Sequence, residues 1–330
     1  MHSHDETRAG LRDHLRRRAG AMLMNGMFHG ISSVGRLHPK ARPSRHGVEV
    51  IRDVRYAVGR DLRLDVYRPI ERAEPAPVVV YIHGGGFRIL SKNTHWIMAL
   101  AFARRGYVVF NIDYRLAPEH PFPAALEDSA EALAWVAKHA AEHGGDPSRL
   151  VLAGESAGAN LATSMAIATS YARREAYAQR VFDLGLSPRA VIAACGMLQV
   201  TDPGRIKRRK TKLTTFVDDR ISEVAMGYLG ETRGRGVEAR DLADPVCVLE
   251  RGERPDRPLP PFFISVGTRD PLLDDSRRLK TALDGLDVES ELRVYEGELH
   301  AFQAMLFLPN ARRCWRDTYR FLDERLAQKS

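Results

Sequence analysis

The stretch LVLAGESAGANLATSMAIA, residues 150–168, decides the fold of this chain. Its first residues, Leu150–Ala153, form a short apolar run typical of a buried strand, and Ala159–Ala168 has the small side chains of a tightly packed helix. Between them lies G-E-S-A-G, Gly154–Gly158, which fits the pattern G-x-S-x-G. The two glycines allow a sharp turn in which a Cβ would clash. The turn lifts the Ser156 hydroxyl clear of the sheet, beside the N-terminal amides of the helix, so Ser156 is the candidate nucleophile.

A second motif lies upstream of the serine. The apolar run Val78–Ile82 leads directly into H-G-G-G-F, His83–Phe87. A strand that ends in three glycines exposes backbone N–H groups with no side chains in the way. Such donors suit a site where negative charge develops on an oxygen during a reaction, known as an oxyanion hole. The two motifs in this order make a plain glycine-rich turn the weaker interpretation.

Length and composition fit one large domain. A chain of 330 residues with 44% hydrophobic residues can bury a sizeable core, and we predict a single domain over residues 1–330. No run approaches the roughly 18 consecutive apolar residues of a membrane span. The three cysteines, Cys195, Cys247 and Cys314, are widely spaced and indicate neither a disulfide framework nor a metal-binding pattern. A reducing, cytoplasmic location is therefore expected.

The positive charge is concentrated near the N-terminus. Residues 1–60 hold twelve Lys and Arg residues against five Asp and Glu residues, and three consecutive arginines precede the Met-rich residues 21–28. A signal peptide is disfavoured because Asn25 and Gly26 interrupt the apolar region and no small-residue cleavage site follows. A membrane-surface helix is an alternative. We favour an amphipathic lid helix whose Met and Phe side chains contact an apolar substrate.

Nucleic-acid binding is not expected. The second basic run, Arg205–Lys210, has no interleaved aromatic residues and no recognisable nucleic-acid-binding fold around it. We interpret it as a solvated loop.

The remaining chain predicts alternating strands and helices. Strands are expected at residues 48–57, 62–67, 78–82, 107–113, 150–153, 190–194, 262–266 and 292–295, and helices near residues 94–104, 123–142, 159–168 and 275–283 and from residue 311. This alternation indicates an α/β fold with a mostly parallel sheet covered by helices on both faces. Residues 201–258 interrupt the alternation, and we interpret them as an insertion above the sheet.

A serine nucleophile needs a base, and the base needs an orienting acid. Asp270 follows the apolar run Phe262–Val266, at the end of a predicted strand where ligands bind in parallel sheets. Asp274 and Asp275 compete for this role, but they also fit the N-cap of the next helix. His300 is the only histidine after Asp270, so the chain order Ser, Asp, His selects it as the base.

These motifs together resemble the hormone-sensitive lipase family of carboxylesterases within the α/β-hydrolase superfamily. The matching segments lie between about residues 75 and 303: His83–Phe87, Asp113–Ala125, Gly154–Gly158 with Asn160, Asp270–Leu272, and His300 with Phe302. The resemblance implies an α/β-hydrolase fold with a helical cap over the active site. The N-terminal residues 1–46 and the insertion 201–258 fit the two places from which the family builds its cap.

The resemblance also implies roles for individual residues. Gly85 and Gly86 would donate to the oxyanion together with the amide of Ala157, while His83 would shape the loop without transferring protons. Glu155 stands where the family often has Asp, and this departure removes no catalytic group.

The expected activity is therefore that of a serine carboxylesterase acting on small, relatively apolar esters of short to medium chain length. The expected mechanism uses Ser156, Asp270 and His300 and passes through an acyl-enzyme, without a metal or cofactor. An amidase, arylformamidase or lactonase using the same residues is an alternative. A non-catalytic ligand receptor is disfavoured because the histidine is present. The expected partner is a small ester, and a homodimer and a surface contact of the N-terminal segment with a membrane are left open.

Overall fold

Strands and helices alternate along most of the chain, as the sequence predicts. The structure is a computed structural model that describes residue 20 and residues 22–23, 25–71, 74–209, 214–230 and 237–327. The strands are β1 Val48–Arg55, β2 Arg63–Pro69, β3 Ala76–Ile82, β4 Val108–Ile112, β5 Gly145–Glu155, β6 Ala190–Ala194, β7 Phe262–Gly267 and β8 Ser290–Tyr295. Each predicted strand overlaps one of them.

The eight strands in the described part of the chain form one sheet in the order β1-β2-β4-β3-β5-β6-β7-β8. β2 pairs antiparallel with both β1 and β4. The six strands from β4 to β8 in this order are parallel, with Val80 of β3 opposite both Phe110 of β4 and Leu152 of β5. The prediction of a mostly parallel α/β sheet is confirmed.

Helices cover both faces of this sheet. They are α1 (residues 25–37), α2 Trp96–Ala103, α3 Ala124–His139, α4 Ala157–Ser170, α5 Ala176–Asp183, α6 Gly204–Arg209, α7 Thr215–Leu229, α8 Pro245–Glu250, α9 Leu273–Gly285 and α10 Pro309–Leu326. On one face, Leu133 of α3 and Leu161 of α4 pack with Leu152 of the sheet. On the other face, Phe102 of α2 and Trp315 of α10 pack with Val151. Consecutive side chains of β5 thus enter opposite cores, as the strand pleat requires.

The carboxyl ends of the parallel strands bring the predicted site residues to one edge of the sheet. β3 ends just before His83, and β5 ends at Glu155, directly before Ser156. Asp270 follows the end of β7, and His300 follows the end of β8. Ligands bind at this edge in open parallel sheets.

The insertion and the N-terminal segment lie beside the loop that follows β3. The insertion 201–258 contributes α6, α7 and α8 among its described residues. The interpretation of the basic run as a solvated loop is therefore wrong for residues 205–209, which lie in α6, and Arg205 is buried because it pairs with Asp275. A Cβ placed on Gly20 would lie 3.0 Å from the guanidinium carbon of Arg220 in α7, so the two segments are neighbours. Arg16–Arg18 and Met24, which belong to the predicted lid segment, lie outside the described residues. In the described ranges no helix combines the length and the apolarity that crossing a membrane requires.

Candidate active site

Ser156 occupies a strained turn between β5 and α4. Its backbone has φ 55° and ψ −117°, a conformation that non-glycine residues rarely adopt. The Ser156 N–H donates to the carbonyl of Ala194 at 2.9 Å, which ties the turn to the end of β6. Because strain of this kind persists only when the surrounding structure imposes it, the turn is held in place by its neighbours.

The two glycines of the turn bring α4 against the end of β3. A Cβ on Gly158 would collide with the carbonyl oxygen of Ile82, and a Cβ on Gly154 would lie 2.8 Å from the same oxygen. Since real Cβ atoms do not approach so closely, larger residues would push the helix away from the strand. The glycines therefore set the distance between Ser156 and the loop that begins at His83.

The loop after β3 presents the glycine amides predicted to form an oxyanion hole. Gly85 and Gly86 have φ 107° and φ 60°, which favour glycine, and a Cβ on Gly85 would collide with the carbonyl oxygen of Ile89. The carbonyl of Gly85 accepts hydrogen bonds from the N–H groups of Arg88 and Ile89, both at 3.1 Å. The loop is thus a closed turn that fixes the direction of these amides. Ala157 opens α4, where the first amides have no acceptor within the helix.

His300 and Asp270 form a close pair. The Nδ1 atom of His300 lies 2.9 Å from Oδ2 of Asp270, which is fully buried, while the imidazole is 35% exposed. The other carboxylate oxygen, Oδ1, accepts the N–H of Leu272 at 2.8 Å, which fixes the plane of the carboxylate. Burial alone lowers the pKa of His300, but the Asp270 carboxylate, with a smaller contribution from Cys195, outweighs it and raises the pKa well above the usual range.

The competing acids Asp274 and Asp275 lie in the first turn of α9, whose N-cap is Leu272, so their interpretation as N-cap residues is wrong. Asp275 has a different role. It is buried in α9 and accepts the N–H of Leu198 at 2.9 Å and the Nε–H of Arg205 at 3.2 Å. Asp275 therefore anchors the chain after β6 and the start of the insertion, and Asp270 is the carboxylate that contacts His300.

Ser156 is brought to the same sheet edge as His300, but these two described residues are not hydrogen bonded to each other in the structure. Instead, Cys195 stands next to His300, with donor atoms of Cys195, Asp270 and His300 all within 4.8 Å of one another. In hydrolases without substrate, catalytic hydrogen bonds are often long and tighten when substrate binds.

A buried carboxylate links the serine turn to the glycine loop. Glu155 directly precedes Ser156, and its Oε1 accepts the N–H of Gly84 at 3.0 Å. The same oxygen lies 2.5 Å from Nε2 of His95, and Oε2 accepts the hydroxyl of Tyr81. Burial disfavours the charged forms of both Glu155 and His95, but the attraction between the two groups outweighs this effect. The pKa of Glu155 is therefore lowered and the pKa of His95 is raised. His95 and Tyr81 carry no sequence signal because they belong to no motif.

His83 is held neutral inside the loop. Burial, with a smaller contribution from nearby His95, lowers the pKa of His83 to about 3. Its ring stacks on Tyr114 with centroids 4.3 Å apart, and the Tyr114 hydroxyl donates to the His83 carbonyl at 2.9 Å. These contacts hold the backbone of the loop, which agrees with a shaping role for His83.

The run Asp113–Ala125 lies directly beside the glycine loop. Its Asp113 accepts the N–H of Lys92 at 2.7 Å, and the N–H of Ala117 donates to the carbonyl of Phe87 at 2.8 Å. Arg115 of the run makes a bidentate contact with the buried carboxylate of Asp128. The run thus ties the loop to β4 and to α3.

Helices from the N-terminal segment and the insertion flank the loop. The Leu90 N–H donates to Oδ1 of Asn25 in α1 at 3.2 Å, and the Trp96 indole donates to Oγ of Ser32 at 2.9 Å. On the other side, a Cβ on Gly86 would collide with Val224 of α7. The loop that carries the candidate oxyanion donors is therefore positioned between α1 and α7.

Comparison with known proteins agrees with this architecture. A family profile described as alpha/beta hydrolase fold matches residues 79–304, which include both glycine motifs and His300. This chain belongs to the α/β-hydrolase family. The carboxylesterase NlhH of Mycobacterium tuberculosis is 33% identical over 255 residues, which cover 76% of this chain and 74% of that protein.

Solved structures of esterases share the fold. An esterase from the bacterial hormone-sensitive lipase family has a TM-score of 0.69, with 26% identity over 92% of this chain and 90% of the other. Esterase LipW from Mycobacterium marinum has a TM-score of 0.72, with 26% identity over 93% of this α/β-hydrolase and 90% of the other chain. The resemblance to the hormone-sensitive lipase family is therefore confirmed.

Proposed function

We propose that this carboxylesterase hydrolyses small, relatively apolar esters of short- to medium-chain acids, with Ser156 as nucleophile, His300 as base and Asp270 as orienting acid. The observation that carries the proposal is the His300–Asp270 pair, with Nδ1 and Oδ2 2.9 Å apart, at the sheet edge where Ser156 occupies its strained turn. A nucleophile, a base and an acid in this order are the components of serine hydrolysis.

The reaction begins when Ser156 Oγ attacks the ester carbonyl carbon and its proton passes to Nε2 of His300. Nδ1 is engaged with Asp270, which leaves Nε2 as the nitrogen for proton transfer. The tetrahedral intermediate collapses as the alcohol leaves with the proton from His300, and an acyl-serine remains. Water, activated by the same imidazole, then releases the acid and restores Ser156.

The amides of Gly85, Gly86 and Ala157 stabilise the oxyanion of the tetrahedral intermediate. Each donor contributes about 3 kcal/mol to the transition state, since the amides are already oriented before the charge develops. Asp270 stabilises the imidazolium ion, and the raised pKa of His300 reflects this same interaction.

The cap formed by residues 1–46 and 201–258 limits the substrate in this proposal. Two observations support it: α1 contacts the loop through Asn25 and Ser32, and Val224 of α7 lies next to Gly86. Met27 and Phe28 of α1 are 50% and 38% exposed, so they offer apolar surface on the helix whose Asn25 contacts the loop. The expected cytoplasmic location remains a prediction, and the homodimer remains an open alternative.

The test is kcat/KM for p-nitrophenyl esters from acetate to octanoate, measured beside an anilide, a formamide and a lactone series. We expect the ester series to dominate, with its maximum at short to medium acyl length. Ser156→Ala should reduce ester turnover at least about 10³-fold while the far-UV circular dichroism spectrum is unchanged. Residual activity above that level, with contaminants excluded, contradicts Ser156 as nucleophile. A dominant anilide, formamide or lactone activity supports the alternative hydrolases.

A further inference from the structure

Three side chains beside the candidate nucleophile form a potential metal-ligand set. A donor atom from each of Cys195, Asp270 and His300 lies within 4.8 Å of the other two, and we call this set the Cys–Asp–His cluster. Cys195 and Asp270 are fully buried, and the His300 imidazole is partly exposed. Cys195 has no part in the hydrolytic steps above, so its position next to the catalytic base is unexplained by them.

The position of Cys195 is enforced by the backbone. Cys195 follows the end of β6 with φ 41°, in the left-handed region that non-glycine residues seldom adopt. Its N–H donates to the carbonyl of Ser265 in β7 at 2.7 Å, and the preceding carbonyl, of Ala194, accepts the N–H of Ser156. One short segment therefore fixes both the serine turn and the thiol.

The donor types select the kind of cation. A thiolate, an imidazole nitrogen and a carboxylate oxygen are ligands of zinc, and the thiolate suits cadmium even better. With Zn–S near 2.3 Å and Zn–N and Zn–O near 2.1 Å, ligand atoms of a tetrahedral site lie about 3.4–3.6 Å apart. Since the ligand atoms of the cluster all lie within 4.8 Å of one another, they need to move by about 1 Å or less to reach these separations.

The surroundings support these ligands. Asp270 keeps Oδ1 engaged with the Leu272 N–H while Oδ2 faces His300, so a carboxylate oxygen is already oriented. The amide Nε2 of Gln303, a residue that is 4% exposed, lies 4.0 Å from Sγ of Cys195. A metal would enter past the imidazole, because it is the exposed member of the cluster.

We propose that Cys195, Asp270 and His300 bind a thiophilic divalent cation of the zinc and cadmium class, and that occupancy reversibly stops catalysis. The cation takes the place of the thiol proton, which passes to solvent, and of the hydrogen between His300 and Asp270, which moves to Nε2 of the same imidazole. A metal-bound His300 cannot accept the proton of Ser156, and Asp270 no longer stabilises the imidazolium ion. The bound cation is thus an inhibitor and takes no part in the reaction.

The experiment measures binding and inhibition separately on the full-length chain. ZnCl₂, CdCl₂ and MgCl₂ are titrated into the metal-free protein by isothermal calorimetry in a non-chelating buffer, and residual p-nitrophenyl acetate hydrolysis is recorded at each concentration. The calorimetric part does not depend on the proposed function, whereas the inhibition part does. Binding without any measurable esterase activity would therefore count against the function alone.

Two variants of Cys195 and one control variant measure how much the Cys195 thiol contributes to metal binding. Cys195→Ala and Cys195→Ser both remove the thiolate, and the pair guards against a folding defect in either one. Cys314→Ser is the matched control because Cys314 is also a buried free thiol but is not in the cluster. Inhibition is expressed for each protein relative to its own rate without metal.

We expect one Zn²⁺ or Cd²⁺ per chain, no response to Mg²⁺, and recovery of activity on adding EDTA. The Cys195 variants should bind at least about 10-fold more weakly and need correspondingly more metal for half-inhibition, whereas Cys314→Ser should behave like the wild type. Absence of Zn²⁺ and Cd²⁺ binding to the wild type overturns the proposal. Equal binding and inhibition in the wild type and the Cys195 variants overturns it as well.

Discussion

Replacing Glu155 by Gln tests whether one buried carboxylate aligns the serine turn with the glycine loop after β3. Glu155 accepts hydrogen bonds from three donors: the Gly84 N–H at 3.0 Å, His95 Nε2 at 2.5 Å and the Tyr81 hydroxyl. Glutamine keeps the shape but has one acceptor oxygen and one donor nitrogen. Since all three neighbours are donors, at least one of them must then face an NH₂ group.

The expected loss of stability follows from these hydrogen bonds. Hydrogen bonds to a charged group contribute about 1.5–3 kcal/mol each, and removing one partner of a buried ion pair costs about 3–5 kcal/mol. We therefore expect Glu155→Gln to lower the free energy of unfolding by about 3–5 kcal/mol near pH 6. The matched control is Glu142→Gln, because Glu142 pairs with His139 at 2.9 Å on the exposed surface, where such pairs contribute about 0–1 kcal/mol.

The size of this loss should depend on pH in a defined direction. The raised pKa of His95 means that its contribution is complete below about pH 6.5 and is lost as the pH rises through the folded-state value. The lowered pKa of Glu155 means that its contribution is present above about pH 4.3 and is lost as the pH falls through the folded-state value. The difference between wild type and Glu155→Gln is thus largest between these limits and decreases at alkaline pH.

Activity should fall through kcat more than through KM. Loss of the Gly84 tether lets the following glycine amides shift, and in the proposed mechanism these amides interact with charge that exists only in the transition state. A misaligned oxyanion donor costs up to about 10²–10³ in kcat. Urea unfolding at several pH values and p-nitrophenyl acetate kinetics provide the measurements. A stability loss below about 1 kcal/mol at every pH, together with an unchanged kcat, would refute the reasoning.

Three other changes to the chain test the remaining parts of the site. Asp270→Asn should lower kcat by about 10⁴-fold. It should also move the acidic limb of the kcat/KM profile to lower pH, because the carboxylate that raises the pKa of His300 is removed. An acidic limb at the same pH as in the wild type would contradict the pairing of Asp270 with His300. Gly85→Ala should reduce kcat about 10²–10³-fold, whereas Gly59→Ala, also at positive φ but in open space, should not. Deleting residues 1–30 should reduce kcat/KM more for octanoate than for acetate esters, by up to about 0.8 kcal/mol for each CH₂ group that is no longer buried; an equal reduction across the series means that the segment only supports folding.

The central strands of the sheet were predictable because they are apolar on both faces. Val78–Ile82 and Ala190–Ala194 are continuous apolar runs, and the structure buries every residue in both. Helix α5, Ala176–Asp183, is absent from the sequence prediction, because only two turns with an exposed charged face give a weak periodic signal. The predicted helix over residues 123–142 ends earlier as α3, and a short 3₁₀ turn carries the chain to Gly144, whose φ of 76° terminates it.

The triad candidates could be predicted because Ser, Asp and His follow one another along the chain in a set order in this fold. The residues that contact them in the structure could not be predicted. Glu155 lies inside a motif, yet its partner His95 is sixty residues away in a stretch that contains no motif. Cys195 gives no signal either, because the wide cysteine spacing indicates no metal pattern. Only the topology places the ends of β6, β7 and β8 side by side and so brings Cys195, Asp270 and His300 together.

The function of α1, which belongs to the proposed cap, could not be predicted from the sequence. Apolar residues of α1 predict a helix with an apolar face, but that face could cover a substrate, a second copy or a lipid surface. In the structure α1 is attached to the chain through polar groups, Asn25 and Ser32, while Ile31 and Val34 are 63% and 69% exposed. In the proposed cap, these exposed apolar side chains are available to contact a substrate, and the polar residues fix the position of the helix that carries them. A substrate preference that depends on α1 would therefore be set by side chains whose contacts form only when the ligand is bound.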